Sequence, residues 1–447
     1  MIKANSNETA KRIAQSVSSV GGRAYFVGGF VRDRLLGKEN KDIDIEVHGV
    51  SPEKLREILS SVGEVLEIGE NFGIFSLKGC NIDVAMPRRE RLYGTGHRDF
   101  DISVDPFIGT KKAAERRDFT VNALMEDVLT GEIIDHFDGL SDLKKKVLRH
   151  VNDITFQEDP LRVLRLAQFA ARFGFFVAEE TKELCKTVEL SHLSRERVEE
   201  ELKKAMLKAE KPSVFFEVLR QVGGLDFWFP ELKKLIGIGQ NPKYHPEGDV
   251  WTHTMEVIDR ASRYRDFVSE PFSFMMSSVC HDLGKIVATT EIDGVIHAYN
   301  HEVLGLPVVR EFLSRIIGEK AVISYCLNMT KLHMKPLVMV NASSSMKAFN
   351  KMFDESIAPK DLIMLSICDK GNNMKGEEDV LFHKLSEFYE IMERPFVQGR
   401  DLIEAGLPAD KSFGEILAYA HKLRLAGVEK NNAMKQVLSF AKKLKKE

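Results

Sequence analysis

Cysteine is sparse in this chain of 447 residues. The five thiols (Cys80, Cys185, Cys280, Cys326 and Cys368) are scattered, odd in number and form no CxxC pair. That excludes a disulfide-framed scaffold and a cysteine-held zinc site, and it predicts reduced thiols in the cytoplasm. No run of about eighteen apolar residues occurs, so no membrane-spanning helix is expected. The opening MIKANSNETAKRIAQ has no apolar core of the kind a signal peptide needs. Internal repeats and low-complexity segments are missing as well. Charge of one sign is not in excess: the formal net charge is −3, which excludes a uniformly basic surface and leaves only local patches for nucleic acid. The most basic stretch is the last 57 residues, with 11 Lys or Arg against 7 Asp or Glu.

What remains is a globular composition, 43% hydrophobic and 29% charged, on a chain too long for one ordinary core. As far as about Ile134, short strand-like runs (AYFV, IDIEV, IFSL, IDVAM, GEIIDHF) mix with helices. From about Leu140 the strand signal fades and amphipathic helices follow one another, as in PLRVLRLAQFAARFG and SRERVEEELKKAML. The pattern predicts an α/β head over 1–140 and an all-α body. Within the body, the Gly/Pro-rich stretch 236–249 reads as a linker, and Arg394-Pro395 reads as a further boundary. The expected helical domains are therefore 141–240, 241–393 and 394–447.

The densest chemistry lies near the start. A short apolar run ends at Gly28-Gly29, a helix-like segment follows, and the next strand carries Asp42 and Asp44 two residues apart. Alternation puts both carboxylates on one strand face. Paired carboxylates stay ionised most readily beside an oxygen-seeking cation such as Mg²⁺. A glycine pair entering a helix lets backbone N–H groups approach phosphate. Together these features point to nucleotidyl or phosphoryl transfer, with Asp83 in NIDVAM as a candidate third acid. Further on, Arg117, Asp118 and Asn122 open a run that reads as helical, with Asp118 and Asn122 on one face at i, i+4. Asp159-Pro160 reads either as an N-cap followed by proline or, with Arg162, as a base reader. An Asp accepts from an exocyclic amine and an Arg donates to a ring nitrogen, which suits cytosine and adenine and rejects uracil and guanine.

In this order the motifs resemble those of the class II tRNA nucleotidyltransferases and bacterial poly(A) polymerases. GGFVRD and DID are similar to motif A, RRDxxxNA to motif B, Asp135 and Gly139 to motif C, EDPLR to motif D, and Arg197 to Glu201 loosely to motif E. The resemblance implies an α/β nucleotidyltransferase head of the polymerase β-like kind, with Mg²⁺ on Asp42 and Asp44. It implies phosphate binding by Gly28, Gly29 and Arg32, and ribose binding by Arg117, Asp118 and Asn122. Asp159 and Arg162, with Arg165 beside them, would be an amino-acid template inside an RNA-binding neck. Arg88 to Glu115, glycine-punctuated and poorly periodic, corresponds to a flexible loop that such enzymes need for the final A. At 28 residues it is full-sized, which favours complete CCA addition to tRNA from CTP and ATP.

A second chemistry starts at His253 and continues through His281-Asp282 in HDLGK to Asp369 in SICDKG. Histidine and carboxylate ligands suit Mn²⁺, Ni²⁺, Co²⁺ or Fe²⁺ better than Mg²⁺. The set resembles the ligands of HD-type phosphohydrolases, and implies an HD helical domain over 241–393 with Lys285, His301 and His333 in support. The implied substrate is a phosphorylated or 2′,3′-cyclic RNA 3′ end, or a nucleotide. Rival readings are poly(A) polymerase, CC- or A-only addition, and an HD hydrolase with a silent head.

Overall fold

A strained glycine makes the first functional turn. In the computed structural model Gly28 has φ 65° and ψ −132°, a region closed to residues with a side chain. It joins β1 (Arg23–Val27) to a helix over Gly29–Leu35. The structure describes residues 6–40, 42–67, 74–92, 100–371 and 374–444.

The chain forms two compact units: 1–205 with 214–228, and 206–213 with 229–447. In the first, β2 (Ile43–His48), β3 (Val65–Glu67), β4 (Ile74–Leu77) and β5 (Ile82–Ala85) follow β1. A hairpin of β6 (Arg88–Leu92) and β7 (Phe100–Val104) then precedes β8 (Met125–Asp127) and β9 (Ile133–Ile134). Seven of these strands make one mixed sheet in the order β3-β4-β5-β2-β1-β8-β9. The parallel pair β2–β5 lies inside it and the other ladders are antiparallel. Ile43, Ile45 and Val47 are buried, whereas Asp44 is exposed, as alternation requires. Helices Ser6–Ser19 and Pro52–Val62 pack together, the first against β1 and β2 and the second against β3, with Ile13, Val17, Leu55 and Leu59 buried. The segment expected as an irregular loop begins with the β6–β7 hairpin instead. Its residues 93–99 lie outside the described residues.

Among the described residues, the second unit is helical apart from one hairpin, Thr290–Ile292 with Val295–His297. Helix Pro271–Cys280 is buried from Phe272 to Cys280, as expected of a helix surrounded by others. Helices Val250–Ala261, Lys320–Leu332 and Pro359–Lys370 pack against it. After Arg394, helices Gly399–Glu404, Phe413–Leu425 and Lys430–Leu444 share a small core of their own around Leu402, Ile416 and Val437. No described helix is long and apolar enough to cross a membrane.

Two candidate functional sites

The first site grows from the middle of the sheet. Asp44 on β2 is in register with Asp83 on β5, and Asp42 immediately precedes β2 on the same exposed face. The third acid suggested by the sequence is thus beside the pair. Crowding by protein atoms pushes the Asp44 carboxyl upward although one side stays open to solvent. Arg117 opposes that shift, while Asp83 and Asp42 add to it. Asp44 and Asp83 in register, with Asp42 beside them, offer the hard oxygen donors that Mg²⁺ prefers.

Glu46, two residues further along β2, escaped the sequence reading. It is buried, accepts from His48 Nε2 at 2.9 Å, and lies 3.4 Å from Arg117 and 3.6 Å from Arg116. Burial alone would raise its pKa, but His48 and the two guanidinium groups bring it down to about 2. Glu46 therefore anchors Arg117, and a Cβ added at Gly28 would sit 3.3 Å from Arg117 Nη1. The glycine turn, the arginine and the acids are one assembly.

Arg32 is placed otherwise than expected. It is buried, donates from Nη1 to Asn122 Oδ1 at 2.6 Å and from Nε and Nη2 to Asp33 at 2.8 and 2.7 Å. Its guanidinium also lies over the Phe173 ring. In this conformation it braces Asn122 rather than facing open space for phosphate. Asn122 in turn donates to Asp118 Oδ1 at 2.9 Å, and Arg165 grips Asp118 Oδ2 at 2.8 and 2.6 Å. Burial works against the Asp118 charge, but Arg165 and Asn122 outweigh it and hold the carboxyl below its usual range. The expected α-helix here is a single 3₁₀ turn over Thr120–Asn122, which still brings Asp118 and Asn122 together. Asp135 accepts from Phe137, Gly139 and Leu140 N, organising the start of helix Gly139–Lys145.

Asp159 closes helix Asp153–Glu158, and helix Leu161–Phe173 follows Pro160. The N-cap reading is partly realised, because Leu161 N reaches Asp159 Oδ1 at 3.2 Å. The carboxylate's main partner is Arg197, whose Nη2 lies 2.9 and 3.0 Å from its two oxygens. Arg162 donates to the backbone carbonyls of Thr155 at 2.7 Å and Arg116 at 2.5 Å. Asp159 and Arg162 are thus each held by other partners, and Arg197 was the residue the sequence reading undervalued.

The second site gathers side chains from separate helices. His253 comes from the first turn of Val250–Ala261, His281 and His333 directly follow helices ending at Cys280 and Leu332, and Asp369 ends Pro359–Lys370. Asp282 sits between them. Its Oδ2 lies 3.4 Å from His281 Nε2 and 3.7 Å from His253 Nε2, and its Oδ1 lies 3.1 Å from His301 and 3.9 Å from His333. His301 reaches it because Gly284 and Gly305 touch, and a Cβ on Gly284 would overlap the His301 carbonyl.

All four imidazoles are oriented alike. Nδ1 of His281, His301 and His333 meets the carbonyl three residues earlier, and that of His253 meets Glu247 at 2.6 Å. A carbonyl accepts, so His281, His301 and His333 carry a proton on Nδ1 and turn Nε2 inward, the atom a cation would take as ligand. The Nε2 atoms of His301 and His333 face each other at 3.3 Å. His281 Nε2 and Asp282 Oδ2 are buried without a hydrogen-bond partner. Lys285 Nζ, 2.7 Å from that oxygen, makes an ion pair and directs its hydrogen bond to Gln240. The groups sort into His253, His281 and Asp369 on one side and Asp282, His301 and His333 on the other. Burial opposes a proton on His253, yet Asp369 and Glu247 lift it to about 9, while burial pushes His333 down to about 4. This donor set fits borderline transition metals.

The stretch 236–249, expected as a linker, is instead part of this site. His245 and His253 both hydrogen-bond Glu247, and Gln240 holds Lys285. Gln240, His245 and Lys285 line a cavity of about 500 Å³ together with Asp282, His301 and Asp369.

The chain is similar to known proteins over most of its length. Residues 24–149 match the poly A polymerase head domain, and 174–236 match a probable RNA- and SrmB-binding site of polymerase A. A multifunctional CCA protein of Actinobacillus pleuropneumoniae is 37% identical, covering 73% of this chain and 80% of the relative. That of Pasteurella multocida is 35% identical over 86% and 92%. The fold resembles a Thermotoga maritima CCA-adding enzyme complexed with tRNA, with a TM-score of 0.64 at 24% identity over 97% and 95% of the chains. It also resembles a CCA-adding enzyme with ATP, with a TM-score of 0.67 at 22% identity over the same shares.

Proposed function

The chain belongs to the family of class II CCA-adding enzymes and poly(A) polymerases, and from this premise we propose that it adds CCA to tRNA 3′ ends from CTP and ATP. The observation that carries the reading is the convergence of Asp42, Asp44 and Asp83 beside Arg117 and the Gly28 turn. Asp42 and Asp44, with Asp83, would hold Mg²⁺, which when bound neutralises triphosphate charge and makes the 3′-hydroxyl a better nucleophile. Arg117, fixed by Glu46, faces the acids and is placed to meet the phosphates with the Gly28-Gly29 turn. Asp118 and Asn122, braced by Arg165 and Arg32, form a rigid polar wall for the ribose. Asp159 and Arg162 choose C or A once Arg162 leaves its backbone carbonyls, while Arg197 keeps the Asp159 carboxylate oriented.

The test is incubation with tRNAs ending before, within and after CCA, one nucleotide at a time, with products resolved singly. Addition that stops at CCA supports the reading. Long A tracts on any 3′ end would reassign the head as a poly(A) polymerase.

The second site supports a second reading, a metal-dependent phosphohydrolase of the HD type acting on phosphorylated RNA 3′ ends. Its warrant is the set of Nε2 atoms turned inward around Asp282 and Asp369. His253, His281, Asp282 and Asp369 would hold Ni²⁺, Mn²⁺ or Co²⁺, with His301 and His333 on the far oxygen of Asp282. When bound there, such a metal would lower the pKa of water toward neutrality. Lys285 adds fixed positive charge for a phosphate. On a 2′,3′-cyclic end, water supplies the new oxygen, one ring P–O bond breaks, and the departing ribose oxygen takes a proton. Hydrolysis of cyclic nucleotides that needs these metals and vanishes in His281→Ala/Asp282→Ala supports this. Metal-free protein that stays inert across all three metals refutes it.

A further inference from the structure

The cavity that opens beside Asp282, His301 and Asp369 has aromatic side chains in its wall that metal binding does not explain. Tyr244 and Tyr299 both line it, and each is 64% exposed. His297 lies flat against Tyr299, with ring centroids 4.8 Å apart and planes within 16°. The hairpin that delivers them is built for its position. Its turn residues Asp293 and Gly294 have φ of 51° and 75°, the two-residue arrangement that matches strand twist. The Thr290–Ile292 and Val295–His297 strands then place Ile296, His297 and Tyr299 on the cavity wall. Tyr244 reaches the same wall from the loop carrying Gln240 and His245.

Two largely exposed rings, with Lys243 over Tyr244 and Lys285 deeper in the cavity, make a surface suited to a flat ligand with an anionic end. We propose that Tyr244 and the Tyr299–His297 stack form a base-stacking clamp, which holds the nucleobase of a terminal nucleotide while its phosphate enters beside Lys285 and Asp282. This rests on the phosphohydrolase reading of the site and names its substrate class: ribonucleoside phosphates, recognised by the face of the base. Every base has a π-face, so the clamp is tolerant of sequence. A cavity of this size holds one nucleotide comfortably.

Guanine separates this site from the head, whose expected template rejects it. The full-length, Mn²⁺-loaded protein is tested on guanosine 2′,3′-cyclic monophosphate and on 1-O-methylribose 2′,3′-cyclic phosphate, which has no base. Binding of guanosine 2′-monophosphate is measured separately by calorimetry. Tyr244→Ala and Tyr299→Ala should raise KM and Kd for the guanosine compounds by about tenfold to a hundredfold, the scale of a lost base–aromatic stack. Tyr→Phe variants should restore both values, and kcat should move much less than KM. Equal losses on the base-free substrate would overturn the clamp and leave the hydrolase standing, as would guanosine binding that ignores both substitutions. Absence of any turnover and of any nucleotide binding in the metal-loaded wild type would overturn the hydrolase reading itself, and the clamp with it.

Discussion

Replacing Arg197 by Met should loosen base choice without stopping nucleotide addition. Arg197 Nη2 lies within 3.0 Å of both Asp159 oxygens, and the two side chains are 27% and 30% exposed. A partly solvated pair of this kind contributes only about 0–1 kcal/mol to folding, so the melting temperature should hardly change. Orientation is another matter. If Asp159 reads the exocyclic amine of C or A, a carboxylate free to rotate loses much of a contact that discriminates by about 1–3 kcal/mol. That corresponds to a fall of about 5- to 150-fold in the ratio of kcat/KM for CTP over UTP and for ATP over GTP. Single-nucleotide addition to tRNA lacking CCA, or only its final A, gives both ratios. Unchanged ratios with a melting temperature several degrees lower would refute the reasoning, because Arg197 would then be a strut between helices and Asp159 no base reader.

Asp42→Ala or Asp44→Ala should abolish nucleotide addition and leave circular dichroism unchanged, since both side chains are exposed. Asp118→Asn should cost about 3–5 kcal/mol of stability at neutral pH by breaking the Arg165 pair. Because the Asp118 pKa is lowered in the folded state, its contribution is present above the ordinary carboxylate value. The gap to wild type in urea titrations should therefore close as the pH falls below about 4. Shortening 88–115 within the β6–β7 hairpin should spare CC addition and impair the final A, read on sequencing gels; equal loss of both steps would mean general damage. Chelated protein should gain about 3–4 kcal/mol from Ni²⁺ or Co²⁺ at a hundredfold to a thousandfold excess over Kd, seen as a higher melting temperature. His281→Ala/Asp282→Ala should not show that gain.

Local periodicity was the part of the fold and sites most legible in the sequence. Alternation in IDIEV put Asp42 and Asp44 on one face, and the same alternation continues to Glu46. Glu46 was overlooked because its position reads as ordinary strand polarity, and nothing local reveals that it is buried against Arg116 and Arg117. Asp83 joins Asp44 only through the parallel register of β2 and β5, a long-range pairing that spacing does not encode. Arg197 and Asp159 are 38 residues apart, and their pairing depends on how two helices pack. The stretch 236–249 was misread for a compositional reason. Glycine, proline and asparagine mark a mobile linker and a loop tied down by side chains equally well. Here His245 and Glu247 tie the loop to His253.

The two sites differ in the softness of their donors, and that difference would let one chain serve the two proposed chemistries. The head offers Asp42, Asp44 and Asp83 on an open strand face, all hard oxygen donors with no imidazole among them. Mg²⁺ accepts such a set and keeps several of its waters, which leaves room for a triphosphate and a hydroxyl together. The histidine cluster offers four imidazoles whose Nδ1 atoms are held by Ser278, Ala298, Thr330 and Glu247. A strongly hydrated Mg²⁺ gains little from nitrogen donors buried this deeply, whereas Mn²⁺, Co²⁺ and Ni²⁺ gain progressively more. Ligand type therefore sorts the metals without any barrier to their exchange. It also accounts for the burial of His281, His301 and His333, since a dry, preoriented set of nitrogens selects its ion better than a flexible one.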